Sequence, residues 1–157
     1  MIMFEMLSYS QFFYSISYNI LMNLPKTFEG EIIHGFGRGH KTVGFATANV
    51  STANWDVKLT ESDFGVYCGL VYIRGEKARI GVVSVGKNLT FNGSKPTFEV
   101  HILDFDEDIY GVLMKVDLRK LLRPMIKFNS LDELIAQITT DSQKARELMT
   151  PLLNEQA

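Results

Sequence analysis

Cysteine is nearly absent from this chain of 157 residues, and histidine is scarce. The single cysteine, Cys68, excludes an intrachain disulfide framework and a cysteine-rich zinc site, and it fits a reducing compartment best. The three histidines, His34, His40 and His101, lack the spacing of a helical or finger-type metal site. Structural zinc is therefore not expected.

Excess positive charge is also missing. The chain has 16 Lys and Arg against 18 Asp and Glu, a net charge of −2 and a sequence pI of about 5.9. Proteins that bind nucleic acid need a basic surface to neutralise the phosphates, and no such surface is expected here. A small molecule is the favoured partner, and no nucleic-acid partner is expected.

The first 23 residues lack the features of a clean targeting or membrane segment. They are mostly Met, Phe, Tyr, Ser, Ile and Leu, with Glu5 as the only charge, and the first basic residue is Lys26. Secretory and mitochondrial signals need earlier basic residues, and a membrane helix would not be interrupted so often by polar ones. We interpret residues 1–23 as an accessory extension or a wrongly included upstream start. The expected location is the cytoplasm, with mitochondria as the alternative.

The remaining residues, 24–157, have the composition of one domain. In the whole chain, 46% of residues are hydrophobic and 22% are charged, which is enough to build a sizeable core. Short β-rich runs alternate with Gly, Asn and Asp turn signals, which predicts a mainly β fold, an antiparallel barrel or sandwich. The predicted strands are Phe28–His34, Gly65–Ile73, Ala78–Val85, Pro96–Asp104 and Tyr110–Leu118, with Arg74-Gly75-Glu76 as a hairpin turn and Asn49–Asp63 as a long loop.

One C-terminal helix is predicted. Ser130 and Glu133 have the spacing of a capping box at its start. Thr139-Thr140-Asp141 favours helix poorly and is expected to loosen the middle, and Pro151 is expected to end the helix. The face expected to pack on the barrel carries Leu131, Leu134, Ile135, Ile138, Ala145, Leu148 and Met149.

The richest segment for chemistry is Gly35 to Asn49, which reads GFGRGHKTVGFATAN. Its glycines let backbone N–H groups approach an anion, Arg38 and Lys41 supply positive charge, and Thr47 and Asn49 offer neutral oxygens that suit Mg²⁺. It is neither a Rossmann loop, which would need glycine at position 40, nor a P-loop, which would need Lys-Ser/Thr after its last glycine. From the residues alone, a glycine-rich hairpin followed by a turn remains the simpler interpretation.

The predicted strand from Thr97 to Leu103 alternates in character. Phe98, Val100 and Ile102 share one face, while Thr97, Glu99 and His101 share the other. A carboxylate and an imidazole therefore lie side by side, as in an acid–base site. Most strand glutamates do no chemistry, so a solvent-facing Glu99 is the alternative.

Further short motifs follow in order along the chain. They are Phe64-Gly65-Val66-Tyr67, Ser84-Val85-Gly86-Lys87-Asn88, Thr97 to Phe105, Tyr110-Gly111 and Leu122-Arg123-Pro124. Together with the G-x-G-R-G segment and Ala46-Thr47-Ala48-Asn49, they resemble the riboflavin kinase (flavokinase) family. The resemblance runs from about Leu24 to about Met149.

This resemblance implies a fold and a reaction. The implied fold is a small, closed or partly open, six-stranded antiparallel barrel with a C-terminal helix. The protein is expected to be a monomer. The implied reaction converts ATP and riboflavin to ADP and FMN with Mg²⁺, or with Zn²⁺ instead. Only 23 residues precede the barrel, so a monofunctional kinase of the eukaryotic type is expected.

The resemblance also assigns roles to residues. Glu99 is the implied catalytic base, Thr47 and Asn49 are the implied metal ligands, and Arg123 and Phe128 the implied flavin contacts. The implied ATP-binding residues are Gly35, Gly37, Gly39, Lys41, Thr47 and His101. Ala46 and Leu89 stand where the family often has proline, which leaves a non-catalytic flavin or nucleotide binder as the alternative function.

Overall fold

Six antiparallel strands form a closed barrel. The computed structural model describes residues 26–34, 45–55, 58–87 and 96–156. The strands are β1 (Lys26–Ile33), β2 (Ala48–Val50), β3 (Gly65–Ile73), β4 (Arg79–Gly86), β5 (Thr97–Ile102) and β6 (Leu113–Arg123). They lie in the order β1-β2-β5-β4-β3-β6, and β6 pairs with β1 to close the barrel. The predicted barrel is confirmed, in its closed form.

Alternate side chains of these strands fill the barrel interior. In β5, for example, Phe98, Val100 and Ile102 are buried, while the residues between them are partly exposed. The interior core consists of Phe28, Ile32, Ala48, Val50, Tyr67, Val71, Ile73, Val83, Val85, Phe98, Val100, Ile102, Ile109, Met114, Val116, Leu118 and Leu121. The alternation of apolar and polar residues along the sequence of β5 therefore predicts correctly which of its side chains face outward.

The segment predicted as a long loop, Asn49–Asp63, contains more structure than expected. It begins inside β2, and Glu61–Asp63 forms a 3₁₀ turn. Between them, the Trp55 indole packs against Phe28 and Phe98 at ring-centre distances of 4.7 and 5.1 Å. Its N–H donates to the backbone oxygen of Glu29 at 2.7 Å. Trp55 therefore ties the chain after β2 to the core.

Most strand boundaries lie one to five residues from the predicted ones, and the largest differences are in β6. β6 starts at Leu113, because Gly111 adopts a φ of +73° in a turn, and it continues to Arg123. β5 ends at Ile102, since Asp104 turns the chain with a φ of +56°. The predicted hairpin turn is confirmed, with φ of +53° at Arg74 and +72° at Gly75, the pattern of a type I′ turn.

The C-terminal helix, α1 (Leu131–Glu155), packs on the outside of the barrel. Its Ser130 cap accepts a hydrogen bond from the Glu133 backbone N–H at 3.2 Å, as the capping-box spacing predicts. The helix does not end at Pro151, which lies inside it. Leu152 and Leu153 beyond the proline pack against a second apolar cluster, between the barrel and the helix, and this packing offsets the lost hydrogen bond. The buried residues of this cluster are Val66, Cys68, Leu70, Ile80, Val82, Leu103, Ala145 and Met149.

The middle of α1 is also continuous. The hydroxyls of Thr139 and Thr140 donate to the carbonyl oxygens of Ile135 and Ala136, so these threonines fit within the helix. Asp141, Ala145 and Met149 are its buried residues, whereas Leu131 of the predicted face is 40% exposed. The helix is therefore attached mainly through its second half.

One glycine sits where two strands approach closely. The β3–β6 register shifts between Cys68 and Gly69, and a Cβ added at Gly69 would overlap the carbonyl oxygen of Asp117. We expect Gly69→Ala to lower the free energy of unfolding by about 2–3 kcal/mol through overpacking. Urea unfolding measures this. The control is Gly75→Asn, which has open space around it and a φ that Asn tolerates; equal stability of the two variants would contradict the prediction.

Residues 1–23, interpreted above as an accessory extension, lie outside the described residues. The closed barrel is made by strands between Lys26 and Arg123. We expect a protein starting at Met22 to fold with an unchanged thermal midpoint and to be more soluble, because a low-charge aromatic segment promotes aggregation. Thermal melts of the two proteins test this, and loss of the cooperative transition in the shorter one would place the boundary elsewhere.

Candidate active site

The register of β2 and β5 brings two predicted site residues together. These strands pair antiparallel, with Ala48 opposite Val100 and Asn49 opposite Glu99. Ala48 and Val100 point into the core, so the side chains of Asn49 and Glu99 lie on the outer face. Directly opposed residues have Cβ atoms about 5 Å apart. An amide and a carboxylate are therefore neighbours outside the barrel.

His101 lies beside Glu99 on the same face of β5. Its Nδ1 lies 2.9 Å from the carbonyl oxygen of Ala46, and because a carbonyl only accepts, Nδ1 must donate. The Phe45 ring meets the imidazole edge-on at 5.3 Å. Continuing the β2–β5 register by one residue places Thr47 opposite His101. We call Thr47, Asn49, Glu99 and His101 the β2–β5 cluster.

The carboxylate of Glu99 is more shielded from water than a carboxylate on the protein surface. Burial raises the pKa of its carboxyl above the ordinary value, and a hydrogen bond from Thr97 offsets part of that rise. The Thr97 hydroxyl lies 3.2 Å from Oε1 of Glu99 and 3.0 Å from the carbonyl oxygen of Gly86. Its one hydrogen is shared between these two acceptors. Glu99 is consequently a stronger base than an exposed glutamate.

The other neighbour of Glu99 links the cluster to the segment that follows β6. Ser84 on β4 stands opposite Glu99, and its hydroxyl contacts the sulfur of Met125 at 3.6 Å. Met125 belongs to residues 124–130, which connect β6 to α1. This connecting segment therefore reaches the edge of the β2–β5 cluster.

A groove lies between the connecting segment and the first half of α1. Its volume is about 410 Å³, and it is open to solvent on one side. The lining residues are Ile126, Lys127, Phe128, Glu133, Ala136, Gln137 and Thr140. The half-buried Phe128 offers an aromatic face, and Lys127 and Glu133 bring charge of both signs.

Arg123, a predicted flavin contact, is held by an ion pair. Its guanidinium bonds the carboxylate of Asp141, with an Nη2–Oδ2 distance of 2.9 Å, and lies 5.7 Å from the centre of the Phe128 ring. Asp141 was not among the predicted site residues, because it was taken as part of a weak helical stretch. The carboxylate within an otherwise apolar helix face was the available signal. Direct flavin contacts by Arg123 and Phe128 stay predictions.

Most of the predicted ATP contacts fall in the glycine-rich segment. Gly35, Gly37, Gly39 and Lys41 lie outside the described residues, so their predicted contacts with ATP stay predictions. The described residues on either side of the loop do flank the cluster. Ile33 is opposite Asn49, and Phe45 touches the ring of His101. The loop therefore leaves and rejoins the described structure beside the β2–β5 cluster.

Metal binding in this region would depend on neutral oxygens. Within the described ranges, no three His, Cys, Asp or Glu side chains are grouped so that they could hold a metal ion. Thr47 and Asn49 offer a hydroxyl and an amide oxygen, ligands that suit Mg²⁺ when phosphate oxygens and water complete the shell. Zn²⁺ prefers nitrogen and sulfur ligands, so these two residues fit it poorly.

The side chains grouped on this face of the barrel, a partly buried carboxylate and two neutral oxygen donors, are of the kinds that phosphotransferase sites use. A comparison with known protein families identifies the family to which the chain belongs. The riboflavin kinase family model matches residues 22–149, and the chain belongs to that family. Separately, none of the described helices is long and apolar enough to cross a membrane.

Individual relatives agree on the family but are longer proteins. A bifunctional riboflavin kinase/FMN adenylyltransferase from Listeria monocytogenes is 38% identical over 135 residues, which cover 85% of this chain. The match covers 41% of that relative, so the chain spans less than half of its length.

Two solved structures share the fold. A Streptococcus pneumoniae protein described as a macrolide-efflux protein has a TM-score of 0.67 and 36% identity, over 82% of this chain and 40% of the other. Riboflavin kinase from Trypanosoma brucei has a TM-score of 0.55 and 24% identity, over 82% of this chain and 83% of the other. At that identity the trypanosomal structure supports the fold alone.

Proposed function

We propose that the chain transfers the γ-phosphoryl group of ATP to the terminal ribityl hydroxyl of riboflavin, giving FMN and ADP. The observation that carries this proposal is the pairing of Glu99 with Asn49 on the outer face of a barrel of the riboflavin kinase family. A carboxylate that accepts a proton thereby lies beside a residue suited to a cation–phosphate complex.

Glu99 acts as the general base in this proposal. The hydroxyl of riboflavin gives its proton to the carboxylate as its oxygen forms a bond to the γ-phosphorus, and the bond to the β–γ bridging oxygen breaks. Burial favours this role, because it raises the pKa of Glu99 and makes the carboxylate a better proton acceptor. Thr97 orients the carboxylate through its hydroxyl.

Thr47 and Asn49 would hold Mg²⁺ together with ATP phosphate oxygens. When bound, Mg²⁺ neutralises charge on the transferring phosphoryl group. We propose Mg²⁺ rather than Zn²⁺ because both side-chain ligands are neutral oxygens. His101 keeps the segment that carries Thr47 in place through its bond to Ala46. The amides of Gly35, Gly37 and Gly39, with Lys41, would bind the phosphates.

Riboflavin would occupy the groove beside the connecting segment. Phe128 offers a face on which a flat ring can stack, and Met125 brings this segment close to Ser84, the neighbour of Glu99. The ribityl chain would then extend from the groove towards Glu99. The enzyme would act as a monomer in a reducing compartment such as the cytoplasm, where the free, buried thiol of Cys68 stays reduced.

Chromatography of riboflavin incubated with the protein, ATP and Mg²⁺ tests the function. We expect a new FMN peak that depends on all three components. Riboflavin binding without FMN formation would instead favour the non-catalytic binder, which the departure from the family pattern at Ala46 makes the second candidate. Absence of both binding and FMN would contradict both functions.

A further inference from the structure

A buried carboxylate on α1 has no part in the proposed chemistry. Asp141 is 2% exposed and is the sole buried polar or charged residue in the part of the chain that the structure describes. Its oxygens accept from Nε of Arg123 at 3.1 and 3.0 Å and from Nη2 of Arg123 at 2.9 Å. The side chain of Gln137 donates to Oδ1 at 2.9 Å. Such a pair is costly to bury, and a matched apolar pair is often as stable.

Arg123 joins both walls of the groove. It lies at the end of β6, its Nη1 donates to the carbonyl oxygen of Pro124 at 3.1 Å, and its guanidinium lies over the Phe128 ring. Phe128 belongs to one wall of the groove, whereas Gln137, which bonds the same Asp141, belongs to the other. The Arg123–Asp141 ion pair therefore contacts both the segment between β6 and α1 and the helix α1 itself.

A second ion pair also attaches α1 to the barrel, but it lies away from the groove. Arg146 bonds Asp104 in a bidentate manner at 2.6 and 2.8 Å, and both side chains are exposed. Neither residue lines the groove. What distinguishes the Arg123–Asp141 pair is that it contacts one lining residue on each wall, Phe128 and Gln137, and that the planar guanidinium fixes both distance and direction.

We propose that Arg123 and Asp141 are positioning residues for riboflavin, setting the spacing between Phe128 and α1 without contacting the ligand themselves. This proposal rests on the proposed function, since it concerns the flavin side of the same site. It differs from the sequence-based expectation that Arg123 touches the flavin. If Arg123 contacted riboflavin directly, binding would depend on Arg123 and not on Asp141. If the ion pair positions the walls of the site, binding depends on both residues.

Riboflavin binding measured by quenching of flavin fluorescence, without ATP, separates these roles. We expect Asp141→Asn and Arg123→Met each to weaken riboflavin binding by roughly 10-fold or more, because small misplacements at a site have large effects. The double variant should bind no more weakly than either single variant, since the two residues act as one unit. KM for ATP should stay within about twofold of wild type.

Two further variants keep the test independent of folding. The apolar pair Arg123→Met with Asp141→Leu is expected to keep the thermal midpoint and still bind riboflavin weakly. Arg123→Lys, which keeps the charge and loses the planar fork, should also bind weakly. The matched control is Arg146→Met, which breaks the exposed pair and should leave riboflavin affinity unchanged.

Three results would overturn the positioning role. Wild-type affinity in Asp141→Asn, or effects of the two single changes that multiply in the double variant, would mean that Arg123 contacts riboflavin directly. Wild-type affinity in the stable apolar pair would mean that the ion pair only supports the fold. If the unaltered protein itself fails to bind riboflavin or make FMN, the proposed function fails, which is a distinct outcome.

Discussion

Glu99→Gln is expected to slow FMN formation by about 10²–10⁴-fold, the usual range for loss of a general base. Gln keeps the size of Glu and an oxygen that can accept from Thr97, so the strand and its pairing should be unchanged. What it loses is the ability to accept the proton of the ribityl hydroxyl. KM for ATP should change little, because the loss affects the reaction step rather than nucleotide binding.

The same substitution is expected to raise the thermal midpoint at neutral pH. Burial raises the pKa of Glu99 above 4.5 in the folded protein, so the folded state binds its proton more tightly than the unfolded state does. The stabilising effect of that proton is fully present below the unfolded pKa and is lost as pH rises through the folded pKa. Gln does not ionise, so the variant avoids this loss. The difference in thermal midpoint should therefore vanish in acid and grow towards neutral pH.

Glu29→Gln is the matched control, since Glu29 is an exposed glutamate on strand β1. We expect it to leave turnover unchanged. Initial rates of FMN formation and thermal melts across pH test both variants side by side. Turnover of Glu99→Gln within about twofold of wild type would remove Glu99 from the reaction. A lower midpoint at neutral pH would show that the ionised carboxylate stabilises the fold, contrary to the burial argument.

The strands that the sequence predicted best are those with strong alternation or long apolar runs. β3 was placed from Gly65 to Ile73 as observed, because its nine residues are almost all apolar and end at a turn with glycine. β2 was missed, because three residues carry too little periodicity to be recognised. Its existence depends on pairing with β1 and β5, which are distant in sequence. Such pairing cannot be read from a local pattern.

Local propensity was misleading in α1 for a related reason. Pro151 is a strong stop signal in an isolated segment, yet the helix passes through it because Leu152 and Leu153 are held by the barrel. Asp141 counts against helix in a propensity scale, yet its carboxylate is paired with Arg123 on a strand that ends 18 residues earlier in sequence. In both cases a tertiary contact decided the outcome.

Only part of the geometry of the candidate site was predictable from the sequence. Alternation along β5 placed Glu99 and His101 on one face, and the structure keeps them on the outer side. The sequence alone could not say that Asn49 would lie opposite Glu99, since that depends on the β2–β5 register. It also gave no partner for Arg123, because the choice of Asp141 depends on how α1 packs.

Thr47→Val is expected to raise the Mg²⁺ concentration needed for half-maximal FMN formation by about tenfold and to weaken ATP binding together with it. Val has nearly the shape of Thr and suits extended backbone, so the segment leading into β2 should keep its conformation. Only the hydroxyl oxygen is lost. Because a cation bound by both the protein and ATP couples their affinities, losing one ligand should weaken both.

Titration of Mg²⁺ at fixed ATP, followed by titration of ATP at saturating Mg²⁺, measures the two effects separately. Thr52→Val is the matched control, since Thr52 is exposed just after β2 and is not a predicted ligand. It should leave both midpoints unchanged. An unchanged Mg²⁺ midpoint together with wild-type turnover in Thr47→Val would mean that Thr47 serves only to shape the chain before β2. A loss of turnover at every Mg²⁺ concentration, with both midpoints unchanged, would instead place Thr47 in the reaction step and contradict its role as a cation ligand.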